Sequence, residues 1–387
     1  TMRTALRPLA LAGLLCVAFM VALELRLAQL DYEPSIVDTP ERWIAQRLRA
    51  SRLGDQALIV IGASRIQLGL DMKTLGQETG LVPVQLSVLG SSPATVLAGL
   101  AADPTITGTI LVDYYDGYAM ADTAARYQKA YEARLAANPL VSLGENTEAR
   151  LTHVVRDHLR SYAGGATPFS SLQLALSGKV RQLYLTTLPD RSRRADYTRV
   201  PMPAFYHRNV MKSLGISLDI NTPDLENVLQ QKVAVITPID NQPFLQESLG
   251  IKRMVAAIRQ RGGRVIFVKM PTSGMVEQIE ARQFPRDQFW TPFVAMVGAP
   301  AIWTGDFPEL AGFKSPDGSH LDYRDQVRFT QLLMRAAGLG RFHRGVLVRR
   351  RGVRHPRHPL LRVRRRPGRD ALERPRAATA RDRRHRR

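Results

Sequence analysis

A serine hydroxyl becomes an effective nucleophile only when an imidazole can take its proton, a carboxylate can orient that imidazole, and donors can receive the developing oxyanion. The chain offers the first three groups at two places. Ser64 stands in Gly62-Ala63-Ser64-Arg65, directly after the apolar run Ala57 to Ile61. Asp317 and His320 stand three residues apart in Ser315-Pro316-Asp317-Gly318-Ser319-His320, where a short turn can bring the carboxylate to one ring nitrogen while the other faces a nucleophile. Each place also has a plain reading. Ser64 could cap the helix that begins near Ile66, and Pro316-Asp317-Gly318 could be a surface turn beside an incidental histidine. Arg65 admits either an anion-orienting role or ordinary solvation.

The elements that would position these residues decide between the readings. Ala57 to Ile61 reads as a short buried strand, Ile66 to Thr79 as a helix, Val82 to Val88 as a strand, Ala94 to Ala102 as a helix, and Thr109 to Val112 as a third strand ending at Asp113. From Ala119 to Pro243 the pattern changes to polar, mainly helical stretches with loops, an insertion or cap. The rhythm then resumes with a helix over Phe244 to Gly262, strands over Arg264 to Lys269 and Ala301 to Thr304, and a closing helix over Tyr323 to Ala337. That last helix is expected to bury Val327, Phe329, Leu332, Leu333 and Ala336. The alternation predicts an α/β protein with a parallel sheet covered by helices. The serine then follows the first strand and the Asp-His pair follows the last, so both lie at the carboxyl ends of strands, where open parallel sheets build their sites.

Charge is uneven. The net +21 of the 387 residues is concentrated from Arg341 onward, where 19 arginines meet three acids, leaving 36 basic and 31 acidic residues before it. The body is therefore only mildly basic. The tail 341–387 has no apolar period and is expected to be disordered. It is an out-of-frame reading of a GC-rich gene or a genuine basic arm, since all eight lysines occur at or before Lys314. At the other end, Leu9 to Leu23 carries no charge and follows Arg3 and Arg7. Residues 1–30 read as a membrane anchor with its N-terminus in the cytoplasm, lengthened past Glu24 by snorkelling. Glu24 to Glu33 has no small-x-small cleavage site, which favours an uncleaved anchor over a signal peptide. Residues 31–56 form a connector with a helix over Pro40 to Leu53. Export of the C-terminus removes nucleic acid as a partner. Cys16 alone allows neither an internal disulfide nor a cysteine metal site. His153, His158 and His207 lack ligand spacing, so neither metal nor cofactor is expected.

Gly62-Ala63-Ser64-Arg65, Gly90 in Ser87-Val88-Leu89-Gly90-Ser91-Ser92-Pro93, and Asp317-Gly318-Ser319-His320, in this order, resemble the SGNH or GDSL-like hydrolase superfamily. The likeness is strongest to its membrane-anchored G-x-S-R branch of alginate O-acetylation and teichoic-acid D-alanylation proteins. It spans about Ala57 to Gly338. The resemblance implies a flavodoxin-like three-layer α/β/α domain over 57–340, interrupted by the insertion 119–243. It also implies a Ser64 nucleophile, a His320 base oriented by Asp317, and an oxyanion hole from the Ser64 and Gly90 amides. The implied activity is serine O-acyl (acetyl) esterase or acyltransferase chemistry on an envelope glycan, outside a bacterial inner membrane, with a polytopic membrane acyltransferase as possible partner. One departure stands out. The third motif normally supplies an Asn after strand three, and the segment here is Val112-Asp113-Tyr114-Tyr115-Asp116-Gly117. An anionic Asp cannot stabilise an oxyanion, so the third donor is missing, relocated or unnecessary, and a non-catalytic glycan- or partner-binding module is the alternative. Tyr114, Tyr115 and Tyr118 are expected to line the insertion's interface rather than stack on a sugar.

Overall fold

The run Ala57–Ile61 (β1) is buried at every position, a pattern that fits a parallel strand covered on both faces. Its odd and even residues go to different cores. Ala57, Ile59 and Ile61 join one apolar cluster, and Leu58 and Val60 join another. The computed structural model describes residues 2–114, 123–136, 156–178 and 183–340. These all belong to one unit, Thr1–Gly345; a second, Val346–Arg387, lies outside the described residues, and so does the whole Arg-rich tail.

In chain order the helices are α1 (Met2–Gln29), α2 (Pro40–Leu53), α3 (Ser64–Gly69), α4 (Met72–Thr79), α5 (Ala94–Ala102), α6 (Thr123–Ala136), α7 (Pro168–Ser177), α8 (Ala204–Leu214), α9 (Leu225–Ala234), α10 (Gln242–Gln260), α11 (Gly274–Gln283), α12 (Trp290–Val297), α13 (Pro308–Ala311) and α14 (Tyr323–Ala336). The further strands are β2 (Val82–Gln85), β3 (Thr109–Asp113), β4 (Leu185–Thr187), β5 (Arg193–Ala195), β6 (Arg264–Lys269) and β7 (Ala301–Trp303). Five of them make a parallel sheet in the order β2-β1-β3-β6-β7. The chain leaves β1 first to one side and then to the other, so the carboxyl ends of β1 and β3 flank a crevice.

Several expectations need correction. The helix expected over Ile66 to Thr79 is two: the first ends at Gly69, which lies so close to Met270 that a Cβ there would be 2.3 Å from its Cε. Leu70 then turns extended and Asp71 caps α4 through the Thr74 amide at 2.7 Å. On α14, Val327 is exposed, while Gln326 and Thr330 are buried in its place. Gln326 Nε2 donates to the carbonyls of Leu68 and Arg193, both at 2.6 Å, which is the reason a polar residue occupies an inward position. The insertion is not wholly a cap. Its first described helix, α6, sets Tyr127 and Tyr131 edge-on to Trp43 of α2 at 6.0 and 6.4 Å and so belongs to the main core. The hairpin β4–β5 and the helices α11 to α13 escaped the sequence reading, being short. Tyr114 is core, stacked on Phe293 at 4.5 Å; Tyr115, Tyr118 and His153 lie outside the described residues.

The insertion is fastened to the sheet by a buried cation. Arg191, in the β4–β5 turn, is fully buried. It donates to both carboxylate oxygens of Asp38 at 2.6 and 3.0 Å, and to the carbonyls of Gln85 and Ser87 at 2.7 and 3.1 Å. Removing one partner of such a pair leaves the other charge uncompensated. Replacing Arg191→Met is expected to destabilise the protein by about 3–5 kcal/mol, with part recovered by adding Asp38→Leu, as measured by chemical denaturation of the detergent-solubilised chain.

Candidate active site

Ser64 is delivered by a tight strand-to-helix turn. Gly62 has φ +150° and lies against β3 so closely that a Cβ would sit 2.7 Å from the Asp113 Cβ, which only glycine permits. Ser64 is the first residue of α3, and the residue before it, Ala63, makes no side-chain cap. The serine hydroxyl is therefore not spent on capping. Instead Ser64 Oγ lies 2.8 Å from Nε2 of His320.

His320 and Asp317 sit in the loop between α13 and α14. Asp317 Oδ2 is 2.7 Å from His320 Nδ1, and its Oδ1 accepts the Ser319 and His320 amides at 2.8 and 2.7 Å. With Nδ1 donating to the carboxylate, Nε2 is left as the acceptor that faces Ser64. The loop is shaped by Gly318, whose φ of +86° and close approach to Val276 of α11 exclude a side chain. It is pinned to the segment after β6 by Ser273 N donating to the Gly318 carbonyl at 2.9 Å and Ser315 N donating to Ser273 Oγ at 2.9 Å. Burial alone would raise the Asp317 carboxyl, but the bonds from His320 and the two amides outweigh it and hold the group below the ordinary carboxylate range.

Two residues of this assembly come from the insertion and carry no signal in the sequence. Tyr197, buried beside β5, lines the cavity near Asp317, and its main-chain N–H donates to Asp322 Oδ2 at 3.1 Å; burial and the Asp317 carboxylate together push its phenol up. Asn209 of α8 donates to the Asp317 carbonyl at 2.6 Å. His207, on the same helix, meets Glu226 at 2.5 Å and takes no part.

Gly90 is placed by continuation of the sheet. Beyond β2, Leu86 N donates to the Val60 carbonyl at 2.8 Å and Val88 N to the Gly62 carbonyl at 3.0 Å, which carries the chain alongside the end of β1 up to the turn at Gly90. Gly90 and Ser64 line one cavity of about 810 Å3 together with Asp317, His320 and Asp113. Among the described residues the amides of Ser64 and Gly90 donate to no protein acceptor.

Arg65, unassigned from sequence, pairs with Glu280 of α11 and reaches Ser319 Oγ at 3.4 Å; Glu280 also accepts from Lys269 Nζ at 3.1 Å. Burial would raise Glu280, yet these two cations hold it low. Asp113, fully buried at the end of β3, is pushed up to about 6 by burial, against the pull of Arg65 and Lys269. The far wall carries Arg193 of β5 with Arg208 and Lys212 of α8, four residues apart and so on one helix face. None of these three is ion-paired among the described residues, and the buried Nε of Arg193 has no hydrogen-bond partner there. Their signal was the spacing of Arg208 and Lys212, but only the fold brings them to the serine.

No protein-family model and no curated protein matches this sequence.

The two aspartates have opposite pH signatures. Asp317, depressed in the fold, contributes stability above its ordinary value of 3.8 that is lost as pH falls through its folded value. Asp113, raised from 3.8 to about 6, favours the fold most below 3.8 and loses that contribution as pH rises through about 6. Asp113→Asn, which keeps an acceptor for the Met270 amide, is therefore expected to stabilise the protein above pH 6 by up to about 3 kcal/mol. The gain should vanish at pH 3.8 and below, as read from denaturation midpoints across pH.

Proposed function

We propose that the protein is an exported serine O-acyl esterase or acyltransferase of the SGNH kind, acting on acetyl or similar esters of an envelope glycan. The observation that carries the reading is the continuous hydrogen-bonded chain Ser64, His320, Asp317 opening into the cavity. The sheet order supports it: numbered along the chain, the parallel strands run 2-1-3-4-5, the flavodoxin-like order, with the crevice at the switch point between the first and third. In the first half-reaction Ser64 Oγ attacks the ester carbonyl and its proton passes to His320 Nε2. The oxyanion is received by the Ser64 and Gly90 amides, and the leaving alcohol takes the proton from His320, which gives acyl-Ser64. In the second, water or a sugar hydroxyl gives its proton to His320 and attacks the acyl group; the Ser64 Oγ–acyl bond breaks as His320 Nε2 returns that proton to Oγ, leaving an acid or a new ester and the free serine.

Localisation follows from α1. Its segment Pro8–Gln29 is long and apolar enough to be a membrane span or a signal sequence. We read it as an uncleaved single-pass anchor with the arginine-bearing N-terminus in the cytoplasm and the site outside the bacterial inner membrane. The unpaired Arg193, Arg208 and Lys212 favour a substrate bearing negative charge on the part of the glycan away from the ester. The second reading, a non-catalytic SGNH-like module that binds glycan or a polytopic membrane acyltransferase, is favoured by Asp113 standing where the third oxyanion donor belongs.

Ser64→Ala is expected to lower hydrolysis of an acetyl ester by roughly 10^3-fold or more and to abolish labelling by a fluorophosphonate probe. Wild-type protein that neither labels nor hydrolyses, yet binds glycan, would establish the second reading instead. Reversing charge on the far wall with Lys212→Glu and Arg208→Glu is expected to raise KM for an acetylated acidic oligosaccharide by roughly tenfold. KM for a neutral aryl acetate should stay unchanged in the same steady-state assay.

A further inference from the structure

The anchor helix does not leave the globular unit as a free stalk. Near its end Glu24 turns inward, its two carboxylate oxygens accepting the amides of Arg160 and Ser161, each at 2.8 Å. Leu23 and Leu27 are buried against α7 in a small cluster with Tyr32 and Ala175, packed over by Leu172 and Leu174. Arg160 Nε closes the joint by donating to the Tyr32 carbonyl at 2.8 Å. The insertion is thus fixed at a defined height on α1.

That height is set by length. The apolar segment Pro8–Gln29 has 22 residues, about 33 Å of helix against a hydrocarbon core of about 30 Å. Leu27 and Leu23 fall roughly 3 and 9 Å from its end. Whatever packs on them sits at the boundary between hydrocarbon and headgroups. What packs on them is α7, and its outer face presents two large apolar side chains, Phe169 and Leu176, with the exposed Gln173 between them. Leu176 is 79% exposed, the most of any large hydrophobic among the described residues, and Phe169 is 70% exposed. Seven residues apart, the two share one face of the helix.

We propose that the outer face of α7 is a membrane-resting surface, with Phe169 and Leu176 embedded in the interfacial layer of the bilayer that α1 spans. The occupant is lipid because the face is continuous with a helix whose own exposed side chains need the same cover. Only 6% of the apolar window of α1 is buried within the protein. This inference rests on the reading of α1 as a span. It makes the insertion a shelf on the membrane: in the chain α7 precedes the β4–β5 hairpin, whose Arg193 lines the cavity together with Tyr197.

The test uses the full chain carrying Cys16→Ser, reconstituted at one chain per nanodisc of phosphatidylcholine and phosphatidylglycerol. Nitroxide labels go singly at Leu14→Cys, Phe169→Cys, Leu176→Cys and Val235→Cys, the last on a helix end of the globular unit and 76% exposed. Power-saturation spectroscopy reads collision with oxygen and with a water-soluble nickel chelate. The expected result is a hydrocarbon profile at position 14 and nickel accessibility at 169 and 176 several-fold below that at 235. Nickel accessibility at 169 and 176 equal to that at 235, with position 14 protected, overturns the membrane shelf and leaves the anchor standing. Nickel-accessible labels at position 14 overturn the anchor itself and the shelf with it.

Discussion

The carboxylate of Asp317 is the constraint around which the site is organised. A charge taken out of water must be matched by donors, and Asp317 meets that demand from two amides of its own turn and the imidazole of His320. Each donor fixes something else. The two amides set the turn, and the imidazole bond sets the ring so that Nε2 faces Ser64. Asn209 fixes the same residue through its main chain. Burial thus converts a flexible loop into a preorganised base, and ties that base to residues more than a hundred positions away.

A second group of buried charges stands beside the nucleophile. Arg65 and Lys269 flank Glu280, and Asp113 completes the group. Burial raises the Asp113 carboxyl to about 6 against the pull of Arg65 and Lys269, while the same two cations hold Glu280 low. Arg65 also bridges the helix of the nucleophile and the loop of the base through Ser319. The position after the serine therefore has a structural task that its exposed-looking place in Gly-Ala-Ser-Arg does not announce.

Glu24 illustrates how an apparently awkward residue is absorbed. In a helix otherwise fit for a bilayer it would have to snorkel; here it accepts two backbone amides of the insertion. The charge that interrupts the apolar run is what joins α1 to the insertion.

The sequence by itself determined the elements with strong periodicity or strong boundaries. The strands at Ala57, Thr109 and Arg264, the helix Pro40–Leu53 and the closing helix were legible because buried runs, proline starts and apolar spacing are local properties. It also placed Ser64 after the first strand and Asp317 with His320 after the last, since motif and element boundary coincide there. What only tertiary structure decided are the contacts between distant segments: the Ser64 to His320 bond, the Asn209 donor, the pairing of Arg65 with Glu280, and the cationic wall of the cavity. Local spacing could not reveal them, because each joins residues that lie far apart in the chain and meet only when the elements pack. The inward Gln326 has the same cause: its place is set by partners from elsewhere in the chain, the carbonyls of Leu68 and Arg193. Those demands exist only once the core has closed.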